Sequence, residues 1–188
     1  NRYGKKIAMT SGNSILIIDG DNMLAEMLSE QLRLHDKFNT SIANSGAEAL
    51  EALKHNYYDA VALSVELPDM DGRYLCRRMR RNDVRIPIIL FTDTDKEKEG
   101  ISSSSVGENE LITKPFRISL LVSLLRTHIS DYERSDDAML DIGPHTFQPS
   151  TKMLVNKESQ EKVRLTDKEG AILTYLYRAG SRAVSRMV

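Results

Sequence analysis

The chain has 188 residues, of which 40% are hydrophobic and 28% are charged, as in ordinary globular proteins. Its 26 basic and 27 acidic residues give a net charge of −1, so overall charge does not indicate a polyanion partner. No apolar run approaches the ~20 residues that a membrane-spanning helix needs, and the single cysteine, Cys76, excludes an internal disulfide and fits a reducing compartment such as the cytoplasm.

The first two thirds of the chain alternate short apolar runs with amphipathic segments, after a polar tail at residues 1–13. Apolar runs predict strands at 14–19, 40–43, 60–64, 86–91 and 110–113. Helical spacing predicts helices at 24–32, 46–53, 73–81 and 120–128, the second opened by a capping box, Ser45 to Glu48. A weaker helix is predicted at 96–106, where Gly100 and four serines lower helix propensity. This alternation predicts an α/β domain with a parallel sheet.

The pattern changes beyond a charged segment, 131–137, which we interpret as a linker. Short strands are predicted at 139–142, 152–156 and 162–165. A second capping box, Thr166 to Glu169, then opens an amphipathic helix that Gly180 ends, and Ser185 could cap another. Residues 138–188 hold 8 basic and 5 acidic residues, against 18 and 22 in residues 1–137. The net +3 of the C-terminal region is weak support for nucleic acid binding there.

The segment 58–72 contains a buried strand that ends at Ser64 and runs into a turn with Leu67-Pro68 and Met70-Asp71-Gly72. It resembles the third strand and following loop of response-regulator receiver domains. This resemblance implies that residues 14–130 form a receiver domain with a flavodoxin-like (βα)5 fold and strand order 2-1-3-4-5. In that family the residue at the strand end is the aspartate that accepts a phosphoryl group. Here it is Ser64.

The C-terminal region resembles the start of the winged-helix effector domain of OmpR/PhoB-type regulators. The resemblance rests on the small antiparallel sheet followed by Leu165-Thr166, then Lys168-Glu169 and the amphipathic helix. It implies that residues 138–188 are the N-terminal portion of a DNA-binding domain. Such domains read DNA with a later helix, which we expect beyond Val188.

The receiver resemblance also implies an acidic pocket that binds Mg²⁺ through carboxylates. Asp19 matches the first acid of the family's pair, but Gly20 occupies the second position, and Asp21 is displaced by one residue. Ser64 removes the acceptor carboxylate. Glu66 could reach inward, but we expect its side chain to lie outside the pocket, because the family uses the backbone at that position. We therefore expect no metal site, no cofactor, no catalytic residue and no phosphorylation of Ser64.

Three further residues match the family's switch positions. Thr92 matches the hydroxyl residue that senses the phosphoryl group, and Lys114 matches the lysine that neutralises it. Without a phosphate, Lys114 is expected to pair with buried Asp19. Leu111 replaces the switch aromatic and reads as a core residue. Acceptor, metal ligand and switch have been lost together, and this combination indicates a pseudo-receiver.

The function that follows is a cytoplasmic, non-enzymatic DNA-binding transcription regulator of two-component type, with a receiver that works without phosphorylation. The alternative is an adaptor whose pseudo-receiver docks a partner protein and whose C-terminal part never binds DNA. Leu120 and Leu124 replace charged positions of the family's dimer face. Two outcomes are open: the leucines turn inward or remain a minor exposed patch, which gives a monomer, or they form the centre of a weak homodimer, which we favour. The basic run Arg73, Arg77, Arg78, Arg80 and Arg81 is compatible with a nucleic-acid patch, but we favour a solvated helix face. The sequence identifies neither a sensor kinase nor a target promoter.

Overall fold

The computed structural model describes residues 12–93, 110–135 and 137–179. The first part of the chain forms five strands: β1 Ser14–Ile18, β2 Asn39–Ala43, β3 Ala60–Ser64, β4 Ile88–Thr92 and β5 Glu110–Thr113. Its described helices are α1 Asn22–Asp36, α2 Gly46–His55, α3 Gly72–Arg81 and α4 Ile118–Arg134. The helix predicted at 96–106 lies outside the described residues. No described helix is both long enough and apolar enough to cross a membrane.

The five strands form one parallel sheet in the order β2-β1-β3-β4-β5, which confirms the predicted flavodoxin-like order. Alternate side chains of β1 point to opposite faces of the sheet. Ile15 and Ile17 pack in a core with α1 and α4, whereas Leu16 and Ile18 pack in a core with α2 and α3. Because both faces are covered, β3 and β4 are buried along their whole length. The carboxyl ends of all five strands meet at one edge.

Aspartate and serine side chains begin the helices at that edge. Asp21 caps α1 and Asp71 caps α3. Ser45 caps α2 by accepting the Glu48 N–H at 3.2 Å, as predicted. The Glu48 carboxylate, however, accepts from the backbone N–H of Asn44 at 2.7 Å rather than from that of Ser45. The predicted capping box is therefore only half formed.

The C-terminal part is a four-stranded antiparallel sheet followed by a helix. The sheet order is β6-β7-β8-β9, and the elements are β6 Leu140–Ile142, β7 His145–Gln148, β8 Met153–Asn156, β9 Lys162–Arg164 and α5 Asp167–Ala179. Strand β7 was not predicted, because Phe147 is its one large apolar residue and no alternation appears. It pairs with β6 through a two-residue turn in which Gly143 has a φ of +57°.

The start of α5 confirms the second capping box. The Glu169 carboxylate accepts the Thr166 N–H at 2.8 Å, and the Thr166 hydroxyl accepts the Glu169 N–H at 3.4 Å. The expected stop at Gly180 and the expected cap at Ser185 both lie outside the described residues.

The linker predicted at 131–137 is shorter than expected, because α4 continues through Arg134. The last turn of α4 has no apolar stripe, so the sequence pattern did not reveal it. Local hydrogen bonds hold it instead: the Arg134 guanidinium donates to the Ser130 carbonyl at 3.1 Å and to the Ser130 hydroxyl at 2.7 Å. The Ser135 hydroxyl donates to the Tyr132 carbonyl at 2.7 Å.

The two parts of the chain touch through an aromatic pair. The ring of Tyr177 on α5 meets the ring of Tyr57, which follows α2, edge to face, with centroids 5.0 Å apart. Burial raises the pKa of the Tyr177 hydroxyl above its ordinary value. This contact lies at the amino edge of the sheet, away from the predicted pocket.

Candidate functional site

The predicted pocket residues converge at the carboxyl edge of the sheet. Asp19 follows β1, Ser64 ends β3, Thr92 ends β4 and Lys114 follows β5. Asp19, Ser64 and Thr92 are buried, and the Lys114 side chain is mostly buried. The fold explains this convergence, because parallel strands present their carboxyl ends together at the crevice where such sheets place their sites.

Asp19 and Lys114 form the expected ion pair, with 3.4 Å between Nζ and Oδ2. Lys114 also contacts the exposed carboxylate of Asp93 at 3.2 Å, and its amine lies 5.2 Å from the centre of the Phe91 ring. Asp19 accepts the backbone N–H of Asp21 at 2.9 Å. Burial raises the pKa of Asp19 above its ordinary value, although this N–H and the Lys114 amine pull it down. Lys114 is thus committed to two carboxylates of the chain.

The other two members of the predicted acidic pocket, Gly20 and Asp21, place no carboxylate inside it. Asp21 is exposed, and its carboxylate caps α1 by accepting the N–H groups of Met23 at 3.0 Å and Leu24 at 3.2 Å. At Gly20 a Cβ would lie 2.9 Å from the Pro68 ring. Any side chain at Gly20 would therefore have to displace that ring.

Glu66 contacts the pocket residues, contrary to the expectation from the sequence. Its carboxylate, which we expected to lie outside the pocket, accepts the Thr92 hydroxyl at 2.8 Å and the Ser64 hydroxyl at 3.3 Å. The backbone N–H of Asp93 reaches the same carboxylate at 3.4 Å. Sequence position alone could not show this, because Glu66 and Thr92 are 26 residues apart. An anionic side chain of the chain itself therefore occupies the hydroxyl-lined half of the pocket.

The loop between β3 and α3 is held by the residues of the motif that carried the resemblance. The Asp69 carboxylate accepts the N–H of Gly46 at 2.8 Å and of Ala47 at 2.9 Å, and so caps α2 from a distant loop. These bonds, led by the Gly46 N–H, lower the pKa of Asp69. At Gly72 a Cβ would lie 2.1 Å from the Ser64 carbonyl oxygen, which leaves room only for glycine. These contacts that hold the loop do not require an aspartate at the position of Ser64.

The remaining predicted residues, Leu111, Leu120 and Leu124, differ in how far they are buried. Leu111 is partly buried against the core that contains α2 and α3. On α4, Leu121 and Leu125 are buried as expected, in the core on the other face of the sheet that includes α1. Leu120 is 45% exposed. Leu124, however, packs partly against the same core, so it is not a free surface residue. Of the two leucines assigned to a dimer face, Leu120 is therefore the more exposed.

Comparisons with known proteins agree with this architecture. Residues 15–126 match the response regulator receiver domain family, so the chain belongs to this family.

Relatives extend the match into the C-terminal part. The chain is 29% identical over 178 residues to the uncharacterized transcriptional regulatory protein YkoG of Bacillus subtilis, covering 92% of this chain and 75% of YkoG. It is 28% identical over 177 residues to the response regulator MprA of Mycobacterium ulcerans, with the same coverage. The names of these two relatives describe a transcriptional regulatory protein and a response regulator.

Solved structures show the same fold. The Thermotoga maritima response regulator DrrB, an OmpR/PhoB homolog, aligns with a TM-score of 0.55 at 21% identity, over 92% of this chain and 76% of DrrB. The receiver domain of the Francisella response regulator 1452 aligns with a TM-score of 0.59 at 24% identity, over 64% of this chain and 98% of that chain. The alignment with DrrB covers 92% of this chain, and the small antiparallel sheet and helix of the C-terminal part are consistent with part of a winged-helix fold.

Proposed function

We propose that this protein is a DNA-binding transcription regulator whose receiver acts without phosphoryl transfer. The observation that carries the proposal is the position of the Glu66 carboxylate. It accepts both pocket hydroxyls, Ser64 and Thr92, at 3.3 and 2.8 Å. A phosphoryl group in this pocket would compete with a resident carboxylate for the same donors and would meet like-charge repulsion.

The donor set does not fit a Mg²⁺ ion. Such an ion prefers about six hard oxygen ligands and draws its charge from carboxylates. Asp19 is already paired with Lys114 at 3.4 Å, and the Asp21 carboxylate caps α1. Glu66 is engaged by two hydroxyls. No cluster of three or more metal-binding side chains occurs in residues 12–93, 110–135 and 137–179.

Ser64 is also a poor nucleophile in this setting. A serine hydroxyl needs an adjacent general base or a lowered pKa to attack. The Ser64 hydroxyl donates a hydrogen bond to the Glu66 carboxylate at 3.3 Å, but Ser64 is fully buried at the end of β3. An incoming phosphoryl donor therefore has no open approach to it.

The test is incubation with acetyl phosphate and Mg²⁺, followed by intact-mass measurement and peptide mapping. We expect no phosphoryl adduct on the wild type, and none on Ser64→Asp, because Gly20 still leaves the pocket one carboxylate short. Ser64→Asp/Glu66→Gln is the matched variant that removes the resident anion while keeping the new aspartate. An adduct on wild-type Ser64 or Asp19 would contradict the proposal. An adduct on Ser64→Asp/Glu66→Gln but not on Ser64→Asp would identify the Glu66 carboxylate as the group that excludes a phosphoryl group. An adduct on Ser64→Asp itself would show that neither Gly20 nor Glu66 prevents phosphorylation of this pocket.

DNA binding belongs to the same proposal. The relatives are named as transcriptional or response regulators, and the C-terminal part has the order of a winged-helix domain. DNA recognition then requires the complete effector domain, and the chain with residues 1–188 alone is expected to bind DNA only non-specifically. Selective retention of one promoter fragment by this chain at physiological salt would overturn that part. A cytoplasmic location follows from the role, as DNA lies there in bacteria.

A weak homodimer through the receiver completes the proposal, with Leu120 at its contact face. Because Leu124 packs partly against the core, Leu120→Glu is the better test. Sedimentation at several concentrations should show wild-type association that Leu120→Glu abolishes. Leu34→Glu, the same substitution at a leucine of α1 that is 70% exposed, is the matched control. Concentration-independent monomers in all three proteins would rule the dimer out.

A further inference from the structure

The six arginines of residues 73–85 are not equivalent in the structure. This stretch holds a single acid, Asp83, and so carries a net charge of +5 inside a region that is net negative. Arg73 is bound by Asp71 at 2.6 Å, and Arg85 is bound by Asp83 at 2.7 Å. Arg80 donates to the carbonyl oxygens of Val84 at 2.6 Å and Ile86 at 2.8 Å. Those three guanidinium groups have structural roles.

The other three, Arg77, Arg78 and Arg81, are exposed. Within the part of the chain that the structure describes, no acidic partner reaches them. Neighbouring acids on α2 are engaged elsewhere, since Glu51 binds Lys54 and His55 and Glu48 binds the Asn44 N–H. Residues four apart on a helix lie on one face, so these arginines form a single cationic surface on α3.

Helix stability accounts for only part of this arrangement. Basic residues in the last turn interact favourably with the helix dipole, which applies to Arg78 and Arg81. Arg77 lies before that turn and gains nothing from it. The apolar side of α3 is already used, because Leu75, Cys76 and Met79 are fully buried.

We propose that the Arg77–Arg78–Arg81 face of α3 binds the phosphate backbone of duplex DNA and gives the receiver a sequence-independent contact of its own. Guanidinium groups suit phosphate because their planar fork donates two parallel hydrogen bonds. Arg77 and Arg81 are about 6 Å apart along the helix axis, and a DNA strand presents one phosphate per ~3.4 Å. Each can therefore reach a separate phosphate.

Duplex DNA fits this face better than a lipid surface does. Membrane-binding helices need a broad apolar face beside their cations. On α3 only Tyr74, 49% exposed, offers apolar surface to solvent. The contact would also place the receiver against the same polyanion that the proposed effector domain reads.

Fluorescence anisotropy with a random-sequence duplex, titrated with salt, tests the assignment. Arg77→Gln/Arg81→Gln should weaken binding roughly tenfold at ~0.1 M salt and reduce the slope of log K against log salt by about 1.8, because two phosphate contacts disappear. Arg77→Lys/Arg81→Lys keeps the charge and should retain most of the slope. Lys37→Gln/Arg117→Gln removes two exposed charges on the opposite side of the sheet and should leave the slope nearly unchanged.

Equal thermal midpoints of the two glutamine pairs establish that both fold alike. If the two pairs lower the DNA affinity equally, the effect is one of net charge and the proposal is wrong. Sedimentation with vesicles containing phosphatidylserine separates the remaining alternative. Loss of vesicle binding without loss of DNA binding in the α3 pair would show a membrane surface and overturn the assignment to DNA. None of these outcomes depends on whether Ser64 or Asp19 accepts a phosphoryl group.

Discussion

Two aspartates at the carboxyl edge of the sheet have opposite pKa shifts. Asp19 is buried at the floor of the pocket, and burial raises its pKa even though Lys114 lies 3.4 Å away. Asp69 is exposed on the loop after β3, where the N–H groups at the start of α2 lower its pKa. The negative charge of Asp69 is stabilised by the N–H groups at the start of α2, whereas the negative charge of Asp19 is destabilised by desolvation.

The loop after β3 and the pocket also differ in the contacts that their residues make. The loop residues Asp69, Asp71 and Gly72 each hold a neighbouring helix or strand in place. At the pocket positions, Gly20 lies against the Pro68 ring, and Ser64 donates a hydrogen bond to the neighbouring Glu66 at 3.3 Å. The contacts that hold the loop therefore do not involve the side chains of the pocket.

The largest effect is expected at the loop. Gly72→Ala places a Cβ 2.1 Å from the Ser64 carbonyl oxygen, and that backbone cannot yield easily. We expect a loss of about 3 kcal/mol or more in the free energy of unfolding, measured by urea titration. Gly170→Ala is the control: its Cβ would meet Phe147 at 3.4 Å, an ordinary contact, and the change should be neutral or stabilising by up to ~1 kcal/mol. Similar stabilities of the two variants would contradict the loop's structural role.

The cap from Asp69 should rank second. Asp69→Ala leaves two N–H groups of α2 without their acceptor and should cost about 1–2 kcal/mol at pH 7. Because the folded pKa lies below the ordinary 3.8, this contribution is present above 3.8 and is lost as pH falls through the folded value. Urea titrations from pH 7 to pH 3 should show the gap to wild type closing. A gap that stays constant with pH would mean that the charge of Asp69 is irrelevant to α2.

Glu66→Ala tests the pocket. Removal of the carboxylate deletes the hydrogen bonds that Ser64 and Thr92 donate to it and should cost about 1 kcal/mol. Glu66→Gln, which keeps an acceptor oxygen, should recover most of that loss in the same urea titration. If the alanine and glutamine variants were equally stable, the hydrogen bonds to Glu66 would contribute nothing to the free energy of unfolding.

The smallest effect is expected at Asp19, and its pH dependence should run opposite to that of Asp69. A raised folded pKa means that the native state binds the proton more tightly, so wild-type stability falls as pH rises from the ordinary 3.8 through the folded value. Asp19→Asn should therefore gain on wild type as pH rises, within about 1 kcal/mol overall because the Lys114 pair is lost too. If Asp19→Asn instead lost stability relative to wild type as pH rose, the attraction of Lys114 would outweigh the burial of Asp19.

Local pattern alone determined most of the receiver fold. The strand predicted at 110–113 coincides with β5, and the capping residues Ser45 and Thr166 begin α2 and α5 as expected. These features depend on neighbours within a few residues, where hydrophobic period and cap chemistry decide the outcome. Strand order came from the family resemblance, because periodicity contains no information about which strands pair.

Tertiary structure alone decided what fills the pocket and what the charged residues do. Glu66 reaches Thr92, and Asp69 reaches Gly46, across 26 and 23 residues of sequence. The arginines of α3 divide into those that have a partner among the described residues and those that do not, and this division depends on where each carbonyl and carboxylate around them lies. Strand β7 exists because its backbone pairs with β6 and β8, not because its side chains alternate. Each of these depends on contacts between distant segments, which the order of residues along the chain does not specify.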